Sequence, residues 1–194
     1  LQTYIPPRRW FGGKTRVIKN VRINEMLTVP AQGAKSFLLF VDLDYVQGDP
    51  ERYLLPLAFA AGEEAAKLQL ERPHLIIARL KLLKTGVEGF IYDAVGSRAL
   101  AQTLLDTMGR RRVLKGVNGE VKGFSLDAFR RLHDEEAPPL EPLLGRAEQS
   151  NSAILFGDKF ILKTFRRLES GLNPDLEINR FLANNDFPHV PQMA

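Results

Sequence analysis

The sequence predicts an α+β fold, in which an antiparallel β-sheet with few helices precedes a smaller unit made of a hairpin and a helix. Five strand-like segments lie at short spacing between residues 17 and 95, separated by Gly and Pro turns. Such spacing is typical of antiparallel sheets. A proline-rich, acidic stretch then separates this part from the C-terminal residues. We therefore predict a first unit at residues 1–133, a linker at residues 134–149 and a second unit at residues 150–194.

The composition is that of a globular protein with a real core. The chain has 194 residues, of which 44% are hydrophobic and 26% are charged. No apolar run approaches the roughly 20 residues of a membrane span, and no signal-peptide pattern opens the chain. We therefore expect no membrane partner and a cytoplasmic location. The chain begins without Met and stops at Ala194, and we expect it to be a segment of a longer polypeptide.

Metal and nucleic-acid sites are disfavoured by the same composition. Cysteine is absent, which excludes disulfides and thiolate metal sites, and the three histidines lie far apart without ligand spacing. The net charge is +4, and the densest basic run, GRRRVLK at residues 109–115, has no flanking aromatic residue. Nucleic-acid binders usually combine basic patches with stacking aromatics or a known module. We interpret this run as a solvated connection, and we predict no nucleic-acid partner and no metal ligands.

The elements of the first unit are predicted by local patterns. Apolar and polar residues alternate at residues 17–24, and strand formers are enriched in the next four segments, at residues 36–46, 52–60, 74–83 and 89–95. A helix is predicted over residues 97–108, with Ser97 as its N-cap. Residues 112–124 then predict a hairpin with a type I′ turn at Asn118-Gly119, and residues 125–136 a short helix.

The stretch RRWFGGKT at residues 8–15 ends like a nucleotide-binding P-loop, but it does not fit one. The P-loop pattern G-x-x-x-x-G-K-[ST] requires a glycine where this chain has Arg8, and it requires a preceding strand. Two prolines in the preceding residues disfavour that strand. We expect a short helix or turn over residues 1–12, with Trp10 and Phe11 as core anchors. The role of Lys14 stays open.

The second unit holds the residues with the clearest chemical pattern. Two short apolar runs, AILFG and KFILKTF, are joined by Gly157-Asp158, which predicts a hairpin with Lys163 in its second strand. Because burying an ammonium group is costly, we expect an acidic partner for Lys163.

A helix should start at Asn173, with Pro174 in its first turn. It should carry Glu177 and bury a stripe of three apolar residues, Ile178, Phe181 and Leu182. The N-lobe of protein-kinase-like phosphotransferases has the same order of elements, namely a hairpin, a lysine in a strand and then a helix with a glutamate. The pattern alone leaves a second interpretation open, a surface lysine and a glutamate that do not touch.

Longer stretches resemble the maltokinase family, the ATP-dependent enzymes that make maltose 1-phosphate. The stretch EQSNSAILFGDKFILKTFRRLESGLNPDLEINRFL is similar to the maltokinase N-lobe, and both RRWFGGKTR and LPLA are similar to the maltokinase N-terminal cap subdomain. The resemblance implies a cap followed by part of an N-lobe of the protein-kinase-like, aminoglycoside-phosphotransferase-like type. It also implies that RRWFGGK belongs to the cap and is not a phosphate loop.

The resemblance further implies the ligands and their residues. ATP with Mg²⁺ would be the cofactor and maltose the acceptor. Lys163 would contact phosphates, Glu177 would hold it by an ion pair, and the loop residues Ser150, Asn151 and Ser152 would cover the phosphates. The catalytic base, the metal ligands and the sugar site would lie beyond Ala194, so this chain would hold no catalytic residue and would be inactive alone. In this family such segments also occur fused to a trehalose synthase, which makes docking of a trehalose synthase by a non-catalytic module the alternative function.

Overall fold

The computed structural model describes residues 1–31, 35–133, 140–145, 151–185 and 187–194. Five strands and one short strand form the large sheet, in the order β1-β2-β3-β5-β4, with β11 paired to β3. These strands are β1 (Ile18–Val29), β2 (Ser36–Tyr45), β3 (Glu51–Ala61), β4 (Ile76–Lys81), β5 (Glu88–Asp93) and β11 (Arg167–Leu168). All pairings in the large sheet are antiparallel. The predicted α+β fold with an antiparallel sheet is confirmed.

Two smaller sheets and four helices complete the described fold. The small sheet has the order β10-β9-β8, made of β8 (Pro142–Leu144), β9 (Asn151–Phe156) and β10 (Phe160–Phe165). A two-stranded sheet joins β6 (Val113–Lys115) to β7 (Glu120–Lys122). The α-helices are α1 (Gly62–Glu71), α2 (Arg98–Gly109), α3 (Asp127–Leu132) and α4 (Pro174–Asn184), and a 3₁₀ turn spans Pro73–Leu75.

Several local predictions are confirmed. The Ser97 hydroxyl accepts a hydrogen bond from the Leu100 N–H at the start of α2, and the Asn173 side chain accepts from the Asp175 N–H at the start of α4. Residues 157–159 turn between β9 and β10, and Gly157 adopts a φ of +56°, which glycine reaches without steric cost. Residues 1–12 form turns and no helix.

One predicted turn is wrong, and one helix was not predicted. The predicted hairpin joins β6 to β7, but its connection is a four-residue loop, and neither Asn118 nor Gly119 has the positive φ that a type I′ turn needs. The carboxylate of Glu25 accepts hydrogen bonds from the N–H groups of Val117 and Asn118. Glu25 therefore holds the loop in another conformation. In addition, helix α1, which follows β3 directly, is an element that the sequence patterns did not predict.

The predicted burial of the apolar stripe of α4 is also not observed. Ile178 and Phe181 are 58% and 65% exposed, and no residue of α4 is buried. The 3.6-residue pattern predicts the helix correctly, but it does not specify what covers the apolar face. Helix α4 therefore presents an uncovered apolar face.

The core has three clusters, two of which lie on opposite sides of the large sheet. One side of the sheet packs on α1 and α2, and the other on the N-terminal turns with Trp10 and Phe11, both buried as predicted. The third cluster joins α2 and α3 to β9 and β10 through the buried side chains Leu105, Phe129, Ile154, Phe156 and Phe160. The small sheet thus lies against the first unit. Strand β8 lies within the predicted linker, whose residues 134–139 and 146–149 are outside the described residues; the domain boundaries stay a prediction.

Candidate functional site

The small sheet has two faces of different character, because side chains alternate along its strands. Its inner face, which carries Ser152, Ile154 and Phe156, is buried against α2 and α3. Its outer face carries Leu155, Ile161 and Lys163 and is largely exposed. Lys163 lies directly opposite Ala153, and Ile161 lies opposite Leu155. The outer face is therefore an open, mostly apolar surface with one cation.

The acidic partner of Lys163 is Asp175. The Lys163 Nζ lies 2.8 Å from the Asp175 Oδ2, with 50% and 41% of the two side chains exposed. Glu177, the partner suggested by resemblance, is exposed and lies two residues further along α4. Two residues turn a helix by about 200°, so Asp175 and Glu177 point to different sides. An acidic partner is found as expected, but the specific pairing with Glu177 is not observed.

Of the three predicted loop residues, two are described, and both lie in a strand. Asn151 and Ser152 belong to strand β9 and not to the loop before it, which corrects their predicted location. Ser152 is fully buried on the inner face, while Asn151 is partly buried opposite Phe165 on the outer face. Ser150 lies outside the described residues.

A buried arginine follows the strand of Lys163, and sequence reasoning missed it. Arg166 comes directly after β10 and is 1% exposed. Its Nη2 donates to Asp93 Oδ1 at 3.0 Å, and its Nε donates to the Ser152 hydroxyl at 3.2 Å. Asp93, at the end of β5, has a side chain only 2% exposed. An arginine next to an apolar strand and an aspartate inside FIYDAV were the available signals, since buried charges need partners.

The N-terminal turns complete the surroundings of this ion pair. The Arg166 guanidinium lies 5.1 Å from the centre of the Trp10 ring, within the range of a cation–π contact. The Tyr4 hydroxyl donates to Asp93 Oδ2 at 3.4 Å, and burial beside this carboxylate raises the pKa of Tyr4. A Cβ at Gly13 would lie 2.7 Å from the Phe11 ring and from the Tyr45 hydroxyl, so only glycine fits there. Trp10 of the RRWFGGK stretch and Tyr4 before it thus lie beside the Arg166–Asp93 ion pair.

Arg167, the residue after Arg166, forms an ion pair with Glu51 of the large sheet. Arg167 Nη2 lies 3.4 Å from Glu51 Oε1, while Glu51 Oε2 accepts from the hydroxyls of Tyr45 and Tyr53 at 2.6 and 2.9 Å. Burial raises the pKa of Glu51, but the hydrogen bonds from the two phenols and the charges of Arg167 and Arg16 together hold it below its ordinary value. Burial and the Glu51 carboxylate raise the pKa of Tyr53 to about 12. Glu51 therefore stays ionised and ties strand β11 to strand β3.

The described residues offer neither a metal centre nor a membrane-crossing helix. Within those ranges, no three His, Asp or Glu side chains lie close enough together to hold a metal ion. None of the described helices is both long and apolar enough to cross a membrane.

The family is identified by the first half of the chain. Residues 4–96 match the family model described as the maltokinase N-terminal cap domain. The match includes Trp10, Phe11 and Asp93, and it ends before α2 and the Lys163 hairpin. The resemblance of the N-terminal stretches to the maltokinase cap is confirmed, whereas the resemblance of residues 148–182 to a kinase N-lobe stays a prediction. Residues 4–96 therefore form a maltokinase N-terminal cap domain, which we call the cap domain.

Proposed function

We propose that this chain supplies the cap and the nucleotide-side part of an ATP-dependent maltokinase, which transfers the γ-phosphoryl group of ATP to the anomeric hydroxyl of maltose. The observation that carries the proposal is a cap domain followed by a three-stranded antiparallel sheet, with a carboxylate-paired lysine on the exposed face of its third strand. Kinases of this type place a phosphate-binding lysine on their third strand and pair it with a helix carboxylate. In this chain the pair is Lys163 and Asp175.

The outer face of the small sheet fits the chemistry of a nucleotide. Lys163 offers a half-exposed ammonium group for phosphate oxygens, and Asp175 fixes the direction of the lysine side chain. The partly exposed apolar side chains of Leu155 and Ile161 offer a surface for a flat base. Magnesium, when bound with the nucleotide, would supply positive charge that neutralises the charge developing on the phosphates.

The role of each residue is argued from its position. Lys163 binds the anionic phosphates and orients them, and Asp175 keeps the ammonium group on the outer face. Asn151 lies on the same face, as the first residue of β9. The Ser152 hydroxyl accepts from Arg166 on the opposite face, so we assign it no contact with the nucleotide.

The proposal is tested by replacing Lys163 in the complete gene product. The variant Lys163→Met removes the charge and keeps much of the side-chain length. We expect the turnover of ATP with maltose to fall by about 10² or more, as loss of a charge-stabilising group does. Lys159→Met is the matched control, because Lys159 is an exposed lysine at the turn of the same hairpin. Equal rates for both variants and the natural protein would refute the assignment of Lys163.

A further inference from the structure

We infer that Arg166 is a positioning residue that fixes the Lys163 strand on the cap domain, so that the cap sets where the nucleotide lysine lies. The part of this inference that concerns nucleotide rests on the proposed function. The part that concerns anchoring rests on contacts alone. Arg166 touches no reacting group and acts only through the strand that carries Lys163.

The first line of evidence is the way that Arg166 joins three elements. Its Nε donates to Ser152 in β9 and its Nη2 to Asp93 at the end of β5. Its backbone oxygen accepts from the Leu54 N–H at 2.7 Å, within β3. Arg166 follows Lys163 by three residues, and the chain then continues directly into β11, which pairs with β3. Side chain and backbone thus attach both strands of the hairpin to the large sheet.

The second line of evidence is the register that Arg166 imposes. Lys163 and Arg166 lie on opposite faces, since they are three residues apart in an extended chain. A slip by one residue would move Arg166 out of its pocket and turn Lys163 toward the buried face. A guanidinium outside the pocket would leave Asp93 as a buried carboxylate without its cation, which is strongly unfavourable. The pocket therefore selects the register in which Lys163 faces outward.

The third line of evidence is that the cap domain supplies the walls of the Arg166 pocket. Its walls are supplied by Trp10 and Tyr4 at the start of the chain and by Asp93 at the end of β5. All three residues lie within the cap domain, whereas Arg166 lies outside it. The guanidinium is not fully satisfied, since its Nη1 has no hydrogen-bond partner among the described residues. A hairpin can pack on the cap domain without a buried charge between them. We therefore assign the Arg166 charge to aligning the Lys163 strand with the cap domain.

The test is a double-mutant cycle on nucleotide binding, combined with hydrogen exchange. The complete gene product is prepared as Arg166→Met, as Lys163→Met and as the double variant. Arg52→Met is the matched control. Arg52 forms an ion pair of two hydrogen bonds with Asp42, and this pair lies at the surface of the large sheet. Binding of Mg-ATP is measured by calorimetry, and amide exchange is measured for β9 and β10 and, as a reference, for β1 and β2.

We expect Arg166→Met to weaken Mg-ATP binding by at least about fivefold, which is typical of coupled residues. It should weaken binding no further when Lys163 is already replaced. Exchange should become faster in β9 and β10 and stay unchanged in β1 and β2, and Arg52→Met should change neither binding nor exchange. If Arg166→Met does not fold, Arg166→Lys, which keeps the charge and loses the two-sided contact, is used in the same cycle.

Other results would overturn either the positioning of Lys163 or the anchoring of its strand. Equal weakening by Arg166→Met with and without Lys163 would show a purely structural role and refute positioning. Unchanged exchange in β9 and β10 would refute the anchoring itself. If Lys163→Met alone leaves Mg-ATP binding unchanged, the proposed function fails and the nucleotide part of the inference fails with it, while the exchange measurement still decides the anchoring.

Discussion

The cap domain and the C-terminal elements of this chain bury their apolar residues to very different extents. Strands β2 and β3 are covered on both faces, with a separate core cluster on each side. Among the described residues, the small sheet is covered only on its inner face, and helix α4 has no buried residue. The strands of the cap domain are thus enclosed by core on both faces, whereas the C-terminal elements are covered on one side only among the described residues. The nucleotide site proposed for the chain lies on the outer face of the small sheet.

The two regions also use charge differently. At the junction with the cap, Arg166 and Asp93 form an ion pair that is almost fully excluded from water. At the outer face, Lys163 and Asp175 form a pair that is about half exposed. Breaking a buried ion pair leaves an unpaired charge in a medium of low dielectric, whereas water screens an exposed pair. The buried pair is suited to alignment, and the exposed pair is suited to binding a ligand.

The largest expected effect is in the cap. Trp10→Ala removes a buried ring that contacts Tyr53 and Arg166, and we expect a loss of about 3–5 kcal/mol in the free energy of unfolding. Phe181→Ala in α4, where the ring is 65% exposed, should change it by less than about 0.5 kcal/mol. Chemical denaturation of both variants measures the difference. Equal losses would contradict the contrast between the two regions.

A smaller, pH-dependent effect is expected at Glu25 in the cap. The N–H groups of Asn118, Val117 and Met26 hold the pKa of this carboxyl below its ordinary value. A carboxyl with a lowered folded pKa stabilises the protein above its unfolded pKa, near 4.3, and the gain is lost as pH falls through the folded pKa. Glu25→Gln should therefore be less stable than the natural chain at pH 7, and the gap should close in acid.

The control for this measurement is Glu71→Gln, because Glu71 is an exposed residue of α1. Its stability difference from the natural chain should stay small at every pH, as for most surface substitutions. Thermal melts between neutral and acidic pH give both curves. A gap for Glu25→Gln that widens as the pH falls would reverse the sign expected here.

A still smaller effect is expected at the outer face. Asp175→Asn removes the partner of Lys163, and because both side chains are about half exposed the loss of stability should be less than about 1 kcal/mol. Asp44→Asn, which breaks the exposed Arg22–Asp44 pair of the large sheet, is the matched control. A loss above about 3 kcal/mol, the range of buried pairs, would show that the ion pair holds α4 in place.

The smallest signal should come from the chain of 194 residues on its own. The outer face leaves a bound nucleotide largely in water, so the contact with Lys163 is screened. We expect no phosphorylation of maltose and an affinity for Mg-ATP no better than about millimolar. A coupled kinase assay and calorimetric titration measure both quantities. Micromolar binding would show that the chain encloses the nucleotide more fully than its outer face suggests.

Local patterns predicted the elements that depend on neighbouring residues. The strand formers in residues 36–46 and 52–60, the Gly157 turn and the caps of α2 and α4 all obey short-range rules, and all are observed. Helix α1 was missed because it continues directly from β3 and its N-cap, Ala61, makes no side-chain bond. The paired charges at Glu63 and Glu64, followed by the spacing of Ala65 and Leu68, were its available signal.

Long-range contacts were beyond these rules. Arg166 and Asp93 are 73 residues apart, and no spacing rule connects them. The choice of Asp175 over Glu177 depends on how α4 is rotated against β10, which a strand-and-helix pattern does not specify. The type I′ prediction failed because a distant carboxylate, Glu25, binds the loop. In each case a contact distant in sequence decided the outcome.

The central claim, a role in the phosphorylation of maltose, is tested most directly by identifying the product. The complete gene product is incubated with maltose, ATP and magnesium, and the sugar phosphates are analysed by phosphorus NMR. We predict maltose 1-phosphate, formed together with ADP and lost when Lys163 is replaced by Met but not when Lys159 is. Conversion of ATP without any phosphorylated maltose, or formation of maltose 1-phosphate at an unchanged rate by Lys163→Met, would contradict this claim.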